Sequence, residues 1–439
     1  MKRSFILISF HFALMVVSCR CSQTRYETAT PGGGESTLPP PEVKPAADTV
    51  FRIVLTGEDC PYADRAEYGC YVPEKVSRFQ GVLVLQHGCG MEQFGLTRHY
   101  DLQYQAFARK WNLAVIETAL YGPCGVWGNP ESGSAAGLVR VLAKVANKTG
   151  HFELNSAPWL LWGHSGGGYW TLGMLRDYPE RILAIVCYSA AWDPTWDYSA
   201  AAAEVPILLR HAGDNDGDPT SKCKETARHT FAKLRAMGAP ASIVLNKDQN
   251  HNLSYLRTMA IPFWEAALRQ RLSPGGVKSL DPAQTWLADT TTFEIFREAE
   301  YEGADKSRLA RLPDEASARA WQEFAKTNVV KDVTAPPAPT GVKAVLLGEV
   351  LEISWQASAD VESGIARFNV YQDGIRVGVV PEDGVFQNYD TNGDNAYPVP
   401  VPAMKLRLVG RPDRKVRFSV EAVNRDGLSS AKTEITYKP

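Results

Sequence analysis

Trp159-Leu160-Leu161-Trp162-Gly163-His164-Ser165-Gly166-Gly167-Gly168 is the stretch that decides the fold. Four large apolar residues lead straight into a serine set in Gly-x-Ser-x-Gly. Such a run describes a buried strand that turns sharply into a helix and holds a hydroxyl above the edge of a sheet. The glycines follow from crowding, because the serine backbone is strained and its neighbours must lack side chains to fit. A serine hydroxyl is a weak nucleophile near neutral pH. The same chain must therefore supply a base, an acid that orients it, and donors for a developing oxyanion.

Around this turn, short β-branched or aromatic runs alternate with helical patterns. Strands are expected at 50–55, 69–72, 82–86, 113–117, 159–162, 182–188, 206–211 and 242–245, and helices at 100–110, 132–148, 168–177, 222–237 and 255–271. The run 82–86 is apolar throughout, as in a strand covered on both faces. Opening hairpin-like strands followed by repeated strand–helix units imply an α/β fold: a mostly parallel sheet with helices on both faces, over residues 49–272. Residues 273–333 are less legible. Leu312-Pro313-Asp314-Glu315 with Trp321 and Phe324 gives one capped amphipathic helix, and the segment is read as an extension packed on the α/β domain. A proline-rich linker opens residues 334–439, where the pattern changes to short alternating strands at 350–355, 367–372, 375–380, 415–423 and 434–437. That pattern describes a small all-β sandwich, with Asp390-Thr391-Asn392-Gly393-Asp394 as one of its turns.

The amino terminus addresses compartment. Met1-Lys2-Arg3 and the apolar run 5–17 form a signal peptide over residues 1–20, too short for a mature membrane span. The protein is therefore expected to be exported: secreted, periplasmic or lipid-anchored at the cell envelope. Val16-Val17-Ser18-Cys19 resembles the bacterial lipoprotein processing box, and lipidation of Cys19 and ordinary cleavage both stay open. Residues 21–48 have almost no large apolar side chains and read as a disordered tether. Eight cysteines fit an oxidising compartment. Cys60 and Cys70 bracket a short polar loop and are expected to pair, a Cys89–Cys124 bridge fits the active-site side, and Cys187 reads as a buried thiol. Sequence alone does not fix this connectivity. A formal net charge of −2 over 439 residues argues against a nucleic-acid partner.

Three histidines follow Ser165: His211, His229 and His251. His211 ends a strand and His229 lies mid-helix. His251 lies in the polar loop 247–252 between the last strand and the last helix, where a mobile base belongs. The acid lies in Gly213-Asp214-Asn215-Asp216-Gly217-Asp218. Gly-x-x-Asp spacing selects Asp216, with Asp214 second. The same aspartates suggest a calcium loop, but no helix precedes them and no metal is assigned. Gln86-His87-Gly88-Cys89-Gly90 directly follows an apolar strand, so the oxyanion donors are assigned to the amides of Cys89 and Gly166. His87 is read as a structural residue hydrogen-bonded beneath that loop. Tyr121, Trp127, Trp162, Tyr169, Trp170, Trp192 and Trp196 cluster in sequence around the site. Trp127 and Trp196, in loops, are the chosen substrate-contacting aromatics.

From Leu85 to His251 this arrangement resembles the α/β-hydrolase superfamily. His87-Gly88-Cys89-Gly90 together with Gly163-His164-Ser165-Gly166-Gly167 looks most like its polyhydroxybutyrate-depolymerase and feruloyl-esterase branch, over residues 50–271. The loop 121–133 departs from that pattern. Pro339, Val342, Trp355, Tyr371, Val420-Glu421-Ala422-Val423-Asn424, Gly427 and Ser429 resemble a fibronectin type III module, and such modules accompany extracellular depolymerases of that branch. The resemblance implies an exported serine hydrolase that cleaves carboxylic esters through an acyl-enzyme, without a cofactor, on plant-polysaccharide, phenolic or polyester substrates. The alternatives are a peptidase of the same fold and a non-catalytic surface binding protein on a hydrolase scaffold.

Overall fold

The β-branched and aliphatic runs form an eight-stranded sheet, seen in a computed structural model. It describes residues 49–439 except 95, 97, 218, 252–254, 275, 304 and 383–402. The signal peptide, Cys19, the tether and the Asp390–Asp394 turn therefore lie outside the described residues. The strands are β1 (Thr49–Thr56), β2 (Arg65–Val72), β3 (Gly81–Gln86), β4 (Leu113–Tyr121), β5 (Trp159–His164), β6 (Ile182–Tyr188), β7 (Ile207–His211) and β8 (Ala241–Leu245). Their order across the sheet is β1-β2-β4-β3-β5-β6-β7-β8. β1, β2 and β4 pair antiparallel in sequence, and every later pairing is parallel. This is the α/β-hydrolase arrangement.

Alternate residues of one strand feed two cores, as the pleat requires. Val82 and Val84 face one way, with helices α3 (Ser134–Thr149) and α4 (Gly166–Asp177) and the short α2 (Cys124–Trp127) on that side. Leu83 and Leu85 face the other, where α1 (Leu102–Trp111) and α6 (Arg257–Arg271) pack. A further helix, α5 (Cys223–Ala236), joins β7 to β8. Because β4 pairs on one side of β3 and β5 on the other, the loops leaving β3 and β5 diverge. In open α/β sheets such a switch point, outside the carboxyl ends of the strands, is where ligands bind. Gln86 lies opposite Gly163, so the loop after β3 stands beside Ser165.

Residues 273–333 hold more regular structure than the sequence revealed. After a two-residue hairpin, β9 (Leu272–Ser273) with β10 (Gly276–Val277), come β11 (Trp286–Ala288), β12 (Ile295–Arg297) and β13 (Ala310–Leu312), paired in the order β12-β11-β13. Strands of three residues carry too little periodicity to be read. Helix α7 (Glu315–Thr327) follows, with Asp314 and Ser317 capping each other as a box. Trp321 of α7 is buried in the same core as α6, and its indole N–H donates to the Ile243 carbonyl at 2.9 Å. Arg235 of α5 donates to the carbonyls of Leu309 and Lys306, each at 2.7 Å.

Beyond the linker, β14 (Thr340–Leu347), β15 (Val350–Gln356) and β18 (Lys405–Val409) form one antiparallel sheet. A second contains β16 (Arg367–Gln372), β17 (Ile375–Val380), β19 (Val416–Val423) and β20 (Thr433–Tyr437). Ile353 and Trp355 from the first sheet meet Phe368, Val370 and Phe418 from the second across a common core, making a sandwich. β14 and β18 escaped the sequence reading because more than half of their residues face solvent. Leu102 and Ala106 of α1 belong to this core as well. Beside them, the Gln103 amide donates to the Val361 and Glu362 carbonyls at 3.0 and 3.1 Å.

Truncating Trp321 to alanine removes a buried indole and leaves a cavity, so Trp321→Ala should lower unfolding free energy by about 3–5 kcal/mol. Urea denaturation of the full chain measures this. A loss below about 1 kcal/mol would mean that α7 is not part of the α/β core.

Candidate active site

Ser165 occupies a conformation that L-residues avoid, φ 56° and ψ −117°. Strain of this kind costs of order 1–3 kcal/mol and persists only where the surroundings fix it. Here the Ser165 N–H donates to the Tyr188 carbonyl at 2.9 Å. Its own carbonyl accepts from Tyr169 and Ala191, at 3.0 and 3.1 Å. Gly163 is required, since a β-carbon there would collide with the Gly167 carbonyl. The helix opens at Gly166, two residues earlier than its sequence pattern suggests, so the Gly166 N–H is one of the donors that no intrahelical acceptor can reach.

The three side chains assigned from sequence converge. His251 Nε2 lies 2.9 Å from Ser165 Oγ, and His251 Nδ1 lies 2.9 Å from Asp216 Oδ1. Asp216 is 5% exposed and also accepts from Ser189 Oγ at 3.0 Å and the Ala212 N–H at 2.8 Å. Burial alone would raise its carboxyl. The hydrogen bond to His251, the charge of Arg210 and the Ala212 amide outweigh burial and hold it below the usual carboxylate range. Asp214, the competing acid, points into solvent and pairs with Lys224. His229 is likewise exposed, 2.9 Å from Asp193.

Two residues that sequence reading did not select hold this arrangement. Arg210 is 0% exposed in the middle of the site's hydrogen-bond network. It donates to Ser189 Oγ at 2.6 Å, Asn246 Oδ1 at 2.9 Å and the Asn250 carbonyl at 2.9 Å, and lies 3.6 Å from Asp216 Oδ1. A charge inside the apolar strand Ile207-Leu208-Leu209-Arg210 was the signal available for it. His164 donates Nε2–H to the His251 carbonyl at 2.8 Å, and the two rings lie 4.8 Å apart, tilted by 38°. Burial and the neighbouring His251 push His164 well below the ordinary histidine range, so it stays neutral.

On the opposite side of Ser165, Cys89 and Cys124 form a disulfide with a Cα–Cα distance of 5.4 Å. A β-carbon at Gly166 would strike both sulfurs, so the bridge rests directly on the turn that carries the second expected donor. His87 pins the loop from beneath: Nδ1–H donates to the Gly88 carbonyl at 2.6 Å, and Nε2 accepts from the Leu120 N–H at 2.8 Å. Cys60 and Cys70, expected to pair, are both buried thiols, because each side chain turns into the core under α3. Cys187 is a buried thiol too.

Trp127, expected to touch substrate, is 0% exposed and packs on the His87 ring at 4.8 Å. It is a support behind the disulfide, out of reach of solvent. Trp196 is half-buried, 4.6 Å from Tyr169, with Arg176 over its ring at 4.4 Å. Trp192 is the aromatic open to solvent at 37%, stacked edge-on against Tyr169 at 5.3 Å. A cavity of about 880 Å³ lies at the other end of the strands, against Gln80, Asn112 and Pro158.

No protein-family profile matches the chain, and no curated protein does. Solved structures similar to it include poly(aspartic acid) hydrolase-1 from Sphingomonas sp., 16% identical, spanning 47% of this chain and 95% of that one, TM-score 0.35. An S-formylglutathione hydrolase from Staphylococcus aureus is 16% identical, over 51% and 96% of the two chains, TM-score 0.34. A dienelactone hydrolase from Anabaena variabilis is 15% identical, over 47% and 89%, TM-score 0.32.

Burial and its cation neighbours lower His211 to about 4, and burial lowers His87 to about 4. Between these values and the unfolded histidine value of about 6.5, the unfolded chain binds more protons than the native one. Stability should therefore decline as pH falls through that window, and protonation would set His87 Nε2–H against the Leu120 N–H. Urea midpoints taken from pH 7 to pH 4 should drop steadily, with a shallower slope in His87→Gln. An unchanged slope in that variant would contradict the assignment.

Proposed function

We propose that the protein is an exported serine hydrolase that cleaves carboxylic esters through an acyl-enzyme. The supporting observation is the pair of 2.9 Å contacts from His251, one to Ser165 Oγ and one to Asp216 Oδ1. Ser165 Oγ attacks the ester carbonyl carbon while His251 Nε2 takes its proton. Asp216 fixes the tautomer that leaves Nε2 able to accept and stabilises the imidazolium that forms. Negative charge collects on the carbonyl oxygen and is met by the N–H groups of Gly166 and Cys89. His251 then protonates the departing alcohol, and water, deprotonated by the same nitrogen, releases the acid.

The substrate is read as an ester of a plant polysaccharide, a phenolic acid or a polyester. Tyr169, Trp192 and the half-buried Trp196 favour a flat or chain-like acyl or alcohol part. The sandwich is read as a fibronectin type III module that spaces the enzyme from a surface or polymer; fold alone assigns it no ligand.

A fluorophosphonate probe should label Ser165, located by peptide mapping, and p-nitrophenyl acetate should be hydrolysed faster than peptide anilides. Ser165→Ala should abolish both. Folded protein that takes up no label would sink the proposal. Asp216→Asn should lower kcat about 10⁴-fold by favouring the wrong tautomer, with Asp214→Asn near wild type. The reverse result would reassign the acid.

A further inference from the structure

Cys223, the first residue of α5, is 1% exposed, and its sulfur lies 3.7 Å from His251 Nδ1. That nitrogen is the one bonded to Asp216 Oδ1 at 2.9 Å. One ligand atom from each of Asp216, Cys223 and His251 lies within 4.8 Å of the other two. Carboxylate, thiolate and imidazole together suit Zn²⁺ and other thiophilic divalent cations. Tetrahedral bonds of about 2.0–2.1 Å to N and O and about 2.3 Å to S set ligand atoms about 3.3–3.6 Å apart. The two separations above straddle that range, and the third, from Asp216 to Cys223, is within 4.8 Å. Seating an ion therefore asks the carboxylate and the thiolate to close on each other by up to about 1.2 Å.

An approach exists. A cavity of about 540 Å³ has Asp216 and Cys223 in its walls. The carboxylates of Asp193, Asp214, Asp216 and Glu225 there outnumber the ammonium groups of Lys222 and Lys224. Arg210, 3.6 Å from Asp216 Oδ1, opposes a cation, which favours a reversibly held ion over a resident one.

We propose that Asp216, Cys223 and His251 form an inhibitory site for a thiophilic divalent cation, with Zn²⁺ as its probe. The chemistry is ligand exchange without redox change. Cys223 loses its proton to solvent, and the imidazole proton leaves Nδ1 while Nε2 gains one from water. The ring stays neutral, three coordinate bonds form, the Nδ1–H···Oδ1 bond breaks, and one proton is released overall. With Nε2 protonated, His251 can no longer accept the proton of Ser165. The inhibition rests on the serine-hydrolase reading; the coordination does not.

Metal-stripped full chain is titrated with Zn²⁺ while p-nitrophenyl acetate hydrolysis is followed. A parallel Cd²⁺ titration reads thiolate-to-metal charge-transfer absorption. Both are repeated with Cys223→Ser and Cys223→Ala, whose turnover in chelator reports an intact site. Zn²⁺ should inhibit the wild type reversibly, and the variants should need at least about tenfold more, the least that partners of a metal site usually contribute. The Cd²⁺ band should appear in the wild type and vanish in both variants. Equal inhibition of wild type and either variant, or no band in the wild type, overturns the proposal. A protein that binds Cd²⁺ through Cys223 yet hydrolyses no ester would sink the hydrolase reading and leave the metal site standing.

Discussion

A guanidinium enclosed at the edge of a sheet must find acceptors, because an unsatisfied buried charge costs several kcal/mol. Arg210 meets that demand by drawing three loops to one point: Ser189 after β6, Asp216 after β7, and, after β8, Asn246 with the Asn250 carbonyl next to His251. Asn246 in turn donates to Asn328 at the end of α7, at 2.8 Å, so the extension is tied into the same network. Asp216 and His251 are therefore not held by their mutual hydrogen bond alone. Their loops are anchored to a charge that has nowhere else to go.

The other half of the site is built by close contact. Gly163 and Gly166 exist as glycines because carbonyl and disulfide atoms occupy the space a β-carbon would take. The disulfide, the Trp127 indole and the doubly bonded His87 form a stack behind the loop after β3. Rigid support of that kind suits the donor role proposed for the Cys89 and Gly166 amides, since donors that must reorganise during reaction lose much of their value. The Asp216–His251 side is thus fixed by buried hydrogen bonds and the Cys89–Gly166 side by sterics and a covalent bridge, with the strained Ser165 between them.

Much of this was legible in the sequence. Strand 182–188 and helix 132–148 carry full periods of pattern and lie where the pattern puts them, within two residues, whereas β2 and β4 each run four residues beyond the patterns at 69–72 and 113–117. The convergence of Ser165, Asp216 and His251 followed from chain order and loop position. Three things were not legible. The three-residue strands β11 to β13 contain too few turns of the repeat to stand out, and β14 and β18 are largely exposed with no fully buried position. Burial of a loop aromatic depends on what covers it, so Trp127, expected to face substrate, is enclosed, while Trp192, which was not selected, is open to solvent. The thiols of Cys60 and Cys70 looked paired because sequence spacing says nothing of the direction in which side chains leave a strand. Arg210 and His164 left a signal, a charge in an apolar strand and a histidine beside the serine, whose partners only the folded chain supplies.

The central claim is that Ser165, with the amides of Gly166 and Cys89, forms a site complementary to a tetrahedral oxyanion. A crystal structure of the chain inactivated by a phosphonate ester tests it most directly. The account predicts phosphorus bonded to Ser165 Oγ, with its oxygen about 2.7–3.1 Å from both nitrogens and His251 Nε2 beside the ester oxygen. A phosphoryl oxygen turned to solvent, away from those two N–H groups, would contradict it.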